Sequence, residues 1–368
     1  MRATRAYINL KNLEDNIEAI RKEIPESEIL TVIKANAYGH GAVEIARALR
    51  RININYIGVA FPEEGAALRE SGDLGEIVCI VPCRKDDVSI LLNYNIQTAI
   101  FDIDILKYYS NYAIANGKVI TAHLFINTGM NRDGIRWDKA VEFMELAKSH
   151  KGVKIIGLMT HYATSDFRER SFALGQLKDF NTAYEELKKA GFRFQFVHSA
   201  NSGAIANLPE SYYNMIRMGI SVYGLMPEEE LLDQIPLKPV LELKSEVLAI
   251  QEVKSGETVG YSFQYFARND TRIAIVPIGY GDGYRRSLGN KAQCLINGKR
   301  YSVVGSVCMD QIFVEIFQDK IKVGDEVVLI GKQGNEFISV YELANFAGTI
   351  PYEITTGISS RVPRIIVD

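Results

Sequence analysis

The sequence lacks the long apolar run that a membrane span requires. No stretch stays apolar for the ~20 residues that cross a bilayer, and the opening MRATRAYINLKNLEDNIEAI alternates polar and apolar residues instead of forming an apolar targeting core. The chain also lacks a charge excess, because 42 basic and 45 acidic residues give a formal net charge of −3. We therefore expect a cytoplasmic protein that acts on a small molecule and has no membrane or nucleic-acid partner.

Cysteine is scarce as well. The four cysteines are Cys79, Cys83, Cys294 and Cys308. They lie in strand-like apolar contexts, and Cys79 and Cys83 are four residues apart without a second pair, whereas a structural zinc site usually takes its ligands from two such pairs. We expect buried free thiols, with neither a disulfide nor a metal site.

The chain does have length and a repeated alternation of strand-like and helix-like segments. Its 368 residues, 47% hydrophobic and 24% charged, exceed one ordinary domain, so we expect two. Short β-branched runs alternate with amphipathic stretches; the runs cover residues 29–35, 56–61, 76–82, 97–102, 120–128, 154–163, 194–201 and 215–224. Eight such units favour a closed (β/α)8 TIM-type barrel with a parallel sheet covered by helices.

The pattern changes near residue 227. The segment PEEELLDQIPLKP contains three prolines, and strands separated by Gly and Asn turns follow it, with one late helix in SVYELANFAG. This pattern is typical of an antiparallel β-domain. We predict an α/β barrel domain over residues 10–230 and a C-terminal, mainly antiparallel β-domain over 231–368. Residues 1–9 are a candidate addition to the second sheet, although the sequence does not require it.

Polar residues stand at the ends of several predicted barrel strands. Catalytic residues in this fold lie at the C-terminal ends of the strands. The residues at those ends are Lys34, Arg132, His161, Asn201, Ser202 and Arg217. One such residue alone is usually a side chain that reaches solvent, but a set of them on one face indicates an active site.

Lys34, in TVIKANAYGHG, is the most informative of these residues. An amine in an apolar strand is costly to bury as an ion and tends to lose its proton. The neutral amine is a nucleophile that forms an imine with an aldehyde, most commonly pyridoxal phosphate. Ser202 and Gly219 lie in the loops that usually bind phosphate in this fold. From the residues alone, a lysine that simply extends to solvent remains an alternative.

The sequence resembles the alanine racemases, which are fold-type III pyridoxal-phosphate enzymes, over essentially its whole length. The blocks that carry the resemblance are VIKANAYGHG, NTGMNR, GLMTHYA, HSANSGA, IRMGISVYG, GYGDGYRR, GSVCMDQ, VGDEVVLIG and TIPYEITTGISSRVPR. The resemblance implies a barrel followed by a β-domain, pyridoxal 5'-phosphate as cofactor, and a homodimer whose active sites are shared between subunits. The implied reaction interconverts L- and D-alanine and supplies D-alanine for peptidoglycan.

The resemblance also assigns roles by position. Lys34 would hold the cofactor as a Schiff base and act as the base on one face of the substrate Cα, and Tyr261 of the other subunit would serve the opposite face. Arg217 would face the pyridine nitrogen beside His161, and because a guanidinium keeps its proton, the ring is a weaker electron sink. The phosphate-binding residues would be Tyr38, Ser202, Gly219, Ile220 and Tyr352. The substrate-binding residues would be Arg132, Met309 and Tyr280.

Two positions depart from the family pattern. Phe125 stands where the family commonly has a carbamylated lysine that positions Arg132. Asn127, Asn131 or a bound anion could replace that lysine, or substrate binding could change. Ser306 stands where an arginine often precedes CMDQ, so the access channel would carry less positive charge. These departures leave a serine or broad-specificity racemase as the alternative function, whereas Tyr352 favours alanine because serine-directed members tend to have a smaller polar residue there.

Two other functional classes fit the residues less well. Decarboxylases of the same fold place an acidic residue at the pyridine nitrogen, where this sequence has Arg217. Proteins that bind the cofactor without turnover resemble the barrel alone, whereas this chain continues into a β-domain that contains Tyr261 and Met309.

Overall fold

A computed structural model describes residues 2–24 and 26–368. By spatial proximity the chain forms two compact units. The barrel unit comprises Glu14–Ala37 and Ala42–Leu237, and the sheet unit comprises the chain up to Leu13, the segment Tyr38–Gly41 and Lys238–Asp368. The sequence predicts a division between residues 230 and 231, with residues 1–9 as a candidate addition to the second sheet; in the structure the sheet unit also takes in Tyr38–Gly41, so the two units alternate along the chain.

The barrel unit contains eight parallel strands at the eight places that the sequence predicts. Strand β1 (Arg5–Asn9) belongs to the sheet unit. The strands that follow are β2 (Glu28–Val32), β3 (Tyr56–Val59), β4 (Glu76–Pro82), β5 (Gln97–Ile100), β6 (Ile120–Asn127), the short β7 (Ile135–Arg136), β8 (Val153–Met159), β9 (Phe196–His198) and β10 (Met215–Met218). Ile77, Val78 and Cys79 of β4 are all buried, as expected for strands with both faces covered.

The strands follow the order β10-β2-β3-β4-β5-β6-β8-β9, with β7 paired to β6. Every pair in this order is parallel. Between β9 and β10, the Arg217 N–H donates to the Ala200 carbonyl at 2.9 Å. The predicted barrel is therefore confirmed as a nearly closed sheet.

Helices alternate with the barrel strands. They are α1 (Leu10–Glu23), α2 (Ala42–Arg51), α3 (Pro62–Glu70), α4 (Val88–Asn93), α5 (Ile103–Ala115), α6 (Ala140–Ala147), α7 (Ser171–Lys189) and α8 (Ser202–Asn207). In α2 the buried side chains are Ile45, Ala46, Ala48 and Leu49, the spacing of one apolar helix face. Asp102 caps α5 by accepting hydrogen bonds from two backbone N–H groups of its first turn.

The sheet unit is built on β1 and nine later strands. These are β11 (Leu241–Glu246), β12 (Ala249–Val253), β13 (Thr271–Val276), β14 (Gln293–Ile296), β15 (Lys299–Val304), β16 (Ile312–Glu315), β17 (Glu326–Gln333), β18 (Glu336–Ile338) and β19 (Arg364–Val367). Their order is β12-β13-β16-β15-β14-β17-β11-β1-β19, with β18 on β17. β1 is antiparallel to β11 and parallel to β19, and the other pairs are antiparallel, as predicted.

Two helices, not one, follow β18. The predicted helix is α9 (Val340–Ala347), and the second is α10 (Pro351–Gly357). Pro351 occupies the first turn of α10, where its missing N–H costs nothing. The later residues Ile354, Thr355 and Thr356 are β-branched and weak helix formers, which explains why the sequence did not predict this helix.

Residues 2–24 and 26–368 contain neither a membrane-spanning helix nor a cluster of metal ligands. None of the helices there combines the length and apolar character needed to traverse a lipid bilayer. No group of three or more His, Cys, Asp or Glu side chains there could hold a metal ion. The Cys79 and Cys83 sulfur atoms lie 3.3 Å apart in the interior as free thiols.

Candidate functional site

Lys34 lies beyond the end of its strand. The sequence predicts a strand through residue 35, whereas β2 ends at Val32 and Lys34 begins a single helical turn that ends at Tyr38. The φ angles of Ala35, Asn36, Ala37 and Tyr38 are 51°, 54°, 55° and 52°. The turn is therefore left-handed, a conformation that costs L-residues about 1–2 kcal/mol each.

Side-chain hydrogen bonds hold this turn in place. The Ala35 N–H donates to Glu64 Oε1 at 2.7 Å, and the other carboxylate oxygen of Glu64 accepts from the Ala60 N–H at 2.8 Å. Asn36 Oδ1 accepts from the Ala42 N–H at 2.8 Å, at the start of α2. The backbone strain is thus offset by hydrogen bonds to both flanking segments.

The Lys34 amine is half-buried, and its Nζ atom makes no hydrogen bond to the described part of the chain. Burial lowers the pKa of Lys34, the positive charge of Arg132 lowers it further, and the Glu64 carboxylate opposes both effects. The environment therefore favours the neutral, nucleophilic amine more than solvent does.

Arg217, the third residue of β10, is 3% exposed. One terminal nitrogen donates to His198 Nδ1 at 3.1 Å and to the His198 carbonyl at 2.8 Å. The other donates to the Thr160 and Ser199 carbonyls at 2.6 and 2.9 Å and lies 3.2 Å from His161 Nδ1. These contacts occupy the terminal N–H groups, so Nε–H is the donor left for a ligand. Burial lowers the pKa of Arg217 to about 10, which leaves the guanidinium protonated at neutral pH.

His161 follows β8 and links Arg217 to the rest of the site. Burial lowers the pKa of His161 well below its usual range, and the charges of Arg217, Arg132 and Lys34 lower it further. His161 is therefore neutral, and its Nδ1, 3.2 Å from Arg217, shares as an acceptor an N–H that also donates to a carbonyl. The structure thus brings together four of the residues that the sequence places at strand ends.

The loops after β9 and β10 are joined through Ser202. Its Oγ atom accepts the Gly219 N–H at 3.0 Å. Asn201 caps α8, because its side chain accepts the Ala204 N–H at 3.0 Å. Ile220 opens the short 3₁₀ helix that follows Gly219, and the first N–H groups of a helix have no partner within it. The Ser202 hydroxyl and the Ile220 N–H are therefore the donors left where the sequence predicts a phosphate site, and the Gly219 N–H is bound to Ser202.

Arg132 is oriented by a residue that the sequence analysis did not single out. Its Nε atom donates to Asp133 Oδ2 at 2.8 Å, with the Arg132 side chain 54% exposed. Its terminal nitrogens have no partner among the described residues. Asn127 and Asn131, two of the candidates that the sequence left open for orienting Arg132, pair with each other at 3.1 Å. The carboxylate of the adjacent Asp133 contacts the guanidinium instead.

Phe125 lies in an apolar cluster. It is 4% exposed and packs with Ala99, Met159 and Phe101. The surroundings of this position therefore could not stabilise a charged side chain, in contrast to the family pattern.

Three predicted residues of the sheet unit share one groove. Tyr261, Tyr280 and Met309 line a cavity of about 1160 Å³, together with Ser306 and Arg286. Tyr261 is 69% exposed, and its carbonyl accepts a hydrogen bond from the Ser306 hydroxyl at 3.1 Å. Ser306 therefore positions the Tyr261 backbone, and Arg286 contributes positive charge to the same groove.

The GYGDG segment builds one wall of this groove. The Tyr280 N–H donates to the Cys308 carbonyl and the Gly281 N–H to the Met309 carbonyl, both at 2.9 Å. A Cβ atom at Gly279 would lie 2.2 Å from the Cys308 carbonyl oxygen. Only glycine allows the two loops to approach this closely.

Tyr38 and Tyr352, both in the sheet unit, form a tilted ring pair with centroids 5.9 Å apart. Gly39 follows Tyr38 with φ +87°, and a Cβ atom there would lie 2.1 Å from the Thr355 carbonyl oxygen. The predicted phosphate-binding residues thus form two groups, this pair in the sheet unit and Ser202, Gly219 and Ile220 in the barrel unit.

Comparison with known proteins identifies the family. The model for the N-terminal domain of alanine racemase matches residues 8–227, and the model for the C-terminal domain of alanine racemase matches residues 240–366. The chain belongs to the alanine racemase family. The resemblance predicted from the sequence motifs is confirmed.

Individual members of the alanine racemase family match over the full length. Alanine racemase of Carboxydothermus hydrogenoformans is 40% identical over 369 residues, which cover 100% of each chain. The structure of alanine racemase from Clostridium difficile 630 superposes with a TM-score of 0.95 at 34% identity, covering 99% of this chain and 96% of that one. A histidine racemase from Leuconostoc mesenteroides subsp. sake is also similar, with a TM-score of 0.92 and 26% identity over 100% of this chain and 98% of its own.

Proposed function

We propose that this chain is an alanine racemase that interconverts L- and D-alanine with pyridoxal phosphate bound through Lys34. The observation that carries the proposal is the grouping of a half-buried amine at Lys34, a cation at Arg217 and an oriented guanidinium at Arg132 at one end of the barrel. Supply of D-alanine for peptidoglycan and a cytoplasmic location belong to the same proposal.

The residues present fit pyridoxal phosphate. Lys34 offers an amine whose burial favours the neutral form, as imine formation requires. The Ser202 hydroxyl and the Ile220 N–H offer donors for a phosphate beside Gly219, whose own N–H donates to Ser202 Oγ, and Arg217 has Nε–H left for the ring nitrogen. When bound, the cofactor supplies an electron-withdrawing ring that makes the substrate Cα–H bond acidic.

Arg217 limits how far the ring withdraws electrons. Its guanidinium remains protonated, so it would donate a hydrogen bond to the ring nitrogen of the bound cofactor without transferring the proton. This arrangement favours return of a proton to Cα over transamination and decarboxylation. His161, which is neutral, accepts from Arg217 and keeps the guanidinium plane fixed.

Racemisation needs an acid-base group on each face of the substrate Cα. Lys34 serves one face, and we assign Tyr261 of a second subunit to the other. The high exposure of Tyr261 and of its neighbour Phe263, at 69% and 72%, supports this assignment, because clustered exposed aromatic groups usually mark an interaction surface. A homodimer with shared active sites is therefore part of the proposal.

Arg132 binds the substrate carboxylate in this scheme. Asp133 accepts from its Nε atom at 2.8 Å, which leaves the two terminal nitrogens to bind a carboxylate as a bidentate pair. The Met309 backbone and Tyr280, which line the groove of the sheet unit, are proposed to complete the substrate contacts.

A broader amino-acid racemase is the second candidate. The small Ser306 side chain in the groove favours it, and the structurally similar histidine racemase shows that this fold accommodates other substrates. The retained Tyr352 favours alanine.

Turnover of L-alanine, L-serine, L-lysine and L-histidine, measured side by side on the pyridoxal-phosphate-loaded protein, tests the proposal. We expect kcat/KM to be highest for L-alanine. A higher kcat/KM for another amino acid would show that this amino acid, and not alanine, is the preferred substrate. Bound cofactor without racemisation of any of the four would contradict the proposed function.

A further inference from the structure

A chain of polar side chains leads from Arg217 through the interior of the barrel unit. Arg217 donates to His198 Nδ1 at 3.1 Å, and His198 Nε2 lies 2.9 Å from His123 Nδ1. His123 Nε2 lies 2.8 Å from Gln97 Oε1, and Gln97 Nε2 donates to Glu76 Oε2 at 2.7 Å. His123 and His198 are 0% exposed and Gln97 is 7% exposed, whereas Glu76 is exposed.

The chain runs from the C-terminal to the N-terminal ends of the strands. His198 is the last residue of β9, whereas Gln97 and Glu76 are the first residues of β5 and β4. His123 lies midway along β6. The four hydrogen bonds therefore connect the site end of the barrel to the opposite end.

The barrel leaves space for this chain at Gly157 on β8. A Cβ atom at Gly157 would lie 1.9 Å from His123 Nδ1. Strand β8 stands between β6 and β9 in the sheet, so any larger residue at this position would separate His123 from His198. The His123 ring also stacks on Phe196 with an interplanar angle of 12°, which fixes its plane.

The hydrogen bonds of this chain can run from donor to acceptor in only one direction. A guanidinium can only donate, so His198 Nδ1 accepts and the His198 proton lies on Nε2. That proton is donated to His123 Nδ1, which places the His123 proton on Nε2, facing the Gln97 carbonyl oxygen. The Gln97 amide then donates to the Glu76 carboxylate. Burial lowers the pKa of His123 to about 3 and that of His198 well below its usual range, so both rings are neutral, as this direction requires.

Arg217 has no other link to an anion. No carboxylate lies within ion-pair distance of Arg217 among residues 2–24 and 26–368, although a buried cation without compensation is costly. The chain of hydrogen bonds connects the positive charge of Arg217 to the Glu76 carboxylate and polarises towards it. Hydrogen bonds in series strengthen one another in a medium of low dielectric constant.

We propose that His198, His123 and Gln97 are positioning residues that connect Arg217 to Glu76 and hold the guanidinium in one orientation. The proposal rests on the proposed function in giving Arg217 a role towards the cofactor. It adds Gln97 and Glu76, at the far end of the barrel, to the residues on which that role depends.

The tautomers provide a test that does not depend on activity. The protein has five histidines in all, so the ¹⁵N signals of the histidine-labelled, full-length protein can be assigned by replacing one histidine at a time. We expect His198 and His123 each to be neutral and protonated at Nε2 over the neutral pH range. Protonation at Nδ1 of either ring, or a doubly protonated ring, would overturn the proposal.

Kinetics of two variants test the effect on Arg217. Gln97→Leu removes the last two of the four hydrogen bonds, those to His123 and Glu76. We expect kcat to fall about tenfold with KM little changed, which is the lower end of the cost of losing a residue that supports a ligand-binding side chain. Glu76→Gln retains the hydrogen bond without the charge, so its kcat should lie between those of Gln97→Leu and the unaltered protein. Glu28→Gln is the matched control, because Glu28 is also an exposed first strand residue, on β2, outside the chain.

The two measurements separate the two proposals. Unchanged kcat in Gln97→Leu overturns the positioning role. If Gln97→Leu does not fold, equal kcat values for Glu76→Gln and Glu28→Gln overturn it instead. If the protein racemises no amino acid, the proposed function fails, while the histidine signals still decide whether the chain has the inferred direction.

Discussion

Glu64 shows how one side chain can both hold a backbone turn and adjust a neighbouring amine. Its carboxylate accepts the Ala35 N–H at 2.7 Å and also raises the pKa of Lys34. The two effects have different origins, since the hydrogen bond needs only an oxygen atom and the electrostatic effect needs the charge. A glutamine at this position removes the charge and keeps one acceptor oxygen for the Ala35 N–H, although it gives up the second oxygen that accepts from Ala60.

We predict that Glu64→Gln lowers the pKa of Lys34 further. With the negative charge removed, the protonated amine loses stabilisation, so the neutral form persists to lower pH. The pH profile of imine formation between the cofactor-free protein and pyridoxal phosphate should shift to lower pH. Glu63→Gln, at the adjacent exposed position, is the control, and a shift to higher pH in Glu64→Gln would contradict the prediction.

Asp133 is a second residue whose individual contribution, to the orientation of Arg132, can be measured by substitution. We predict that Asp133→Asn raises KM for alanine with little change in kcat, because Arg132 loses the anion that orients it. An exposed ion pair contributes up to about 1 kcal/mol, equivalent to roughly fivefold in KM. Asp138→Asn is the matched control, since Asp138 forms an ion pair with Arg136 close by in the chain. An unchanged KM in Asp133→Asn would show that Arg132 is oriented by another group.

Among the secondary-structure elements, the left-handed turn after β2 has the least support from its own sequence. Residues 35–38 include no glycine, yet all have positive φ. Asn36 tolerates this conformation better than alanine does, and it also caps the start of α2 through the Ala42 N–H.

We predict that Asn36→Ala lowers the free energy of unfolding by about 1 kcal/mol, the usual cost of a lost helix cap. Asn36→Asp retains the acceptor oxygen and should have a much smaller effect. Urea unfolding of the two variants measures the difference. Equal stabilities would mean that the cap contributes nothing to holding the turn.

The elements that the sequence predicts correctly are those whose signal is local. The eight barrel strands follow from buried runs such as EIVCIVP, and α9 follows from its apolar spacing. The left-handed turn and α10 were missed because distant contacts, such as Glu64 with Ala35, or β-branched residues such as Ile354 override the local pattern. His123 inside a buried strand was a usable signal, because a buried imidazole needs hydrogen-bond partners.

At the scale of the whole molecule, the motifs identify more of the site than physical patterns do. Strand-end position alone indicates Lys34, His161 and Arg217, which the barrel unit brings together. Tyr261 was found only through the resemblance, since an aromatic residue on an exposed turn has no distinctive pattern. The contact of Asp133 with Arg132 was not predicted, because the family pattern assigns the orientation of Arg132 to the position that Phe125 occupies.

Shared active sites predict complementation between two inactive proteins. Lys34→Ala and Tyr261→Ala should each abolish racemisation as homodimers. In a mixed dimer, one site combines the intact Tyr261 of one subunit with the intact Lys34 of the other. After equal mixing and subunit exchange, random pairing gives about one quarter of the unaltered activity. Mixed samples that stay inactive, although mass spectrometry detects the heterodimer, would contradict shared sites.

The position of β1 between β11 and β19 also affects when the sheet can fold and where the protein can be truncated. Strand β1 has no sheet to join until the chain beyond residue 240 has been synthesised, and its second partner, β19, comes later still. Such distant pairings close late in folding. A fragment that starts at Lys238 would lack β1 and leave the edges of β11 and β19 unpaired, a template for aggregation. The C-terminal sheet is therefore not a separable module, and truncations intended to isolate it need to retain the first nine residues of the chain.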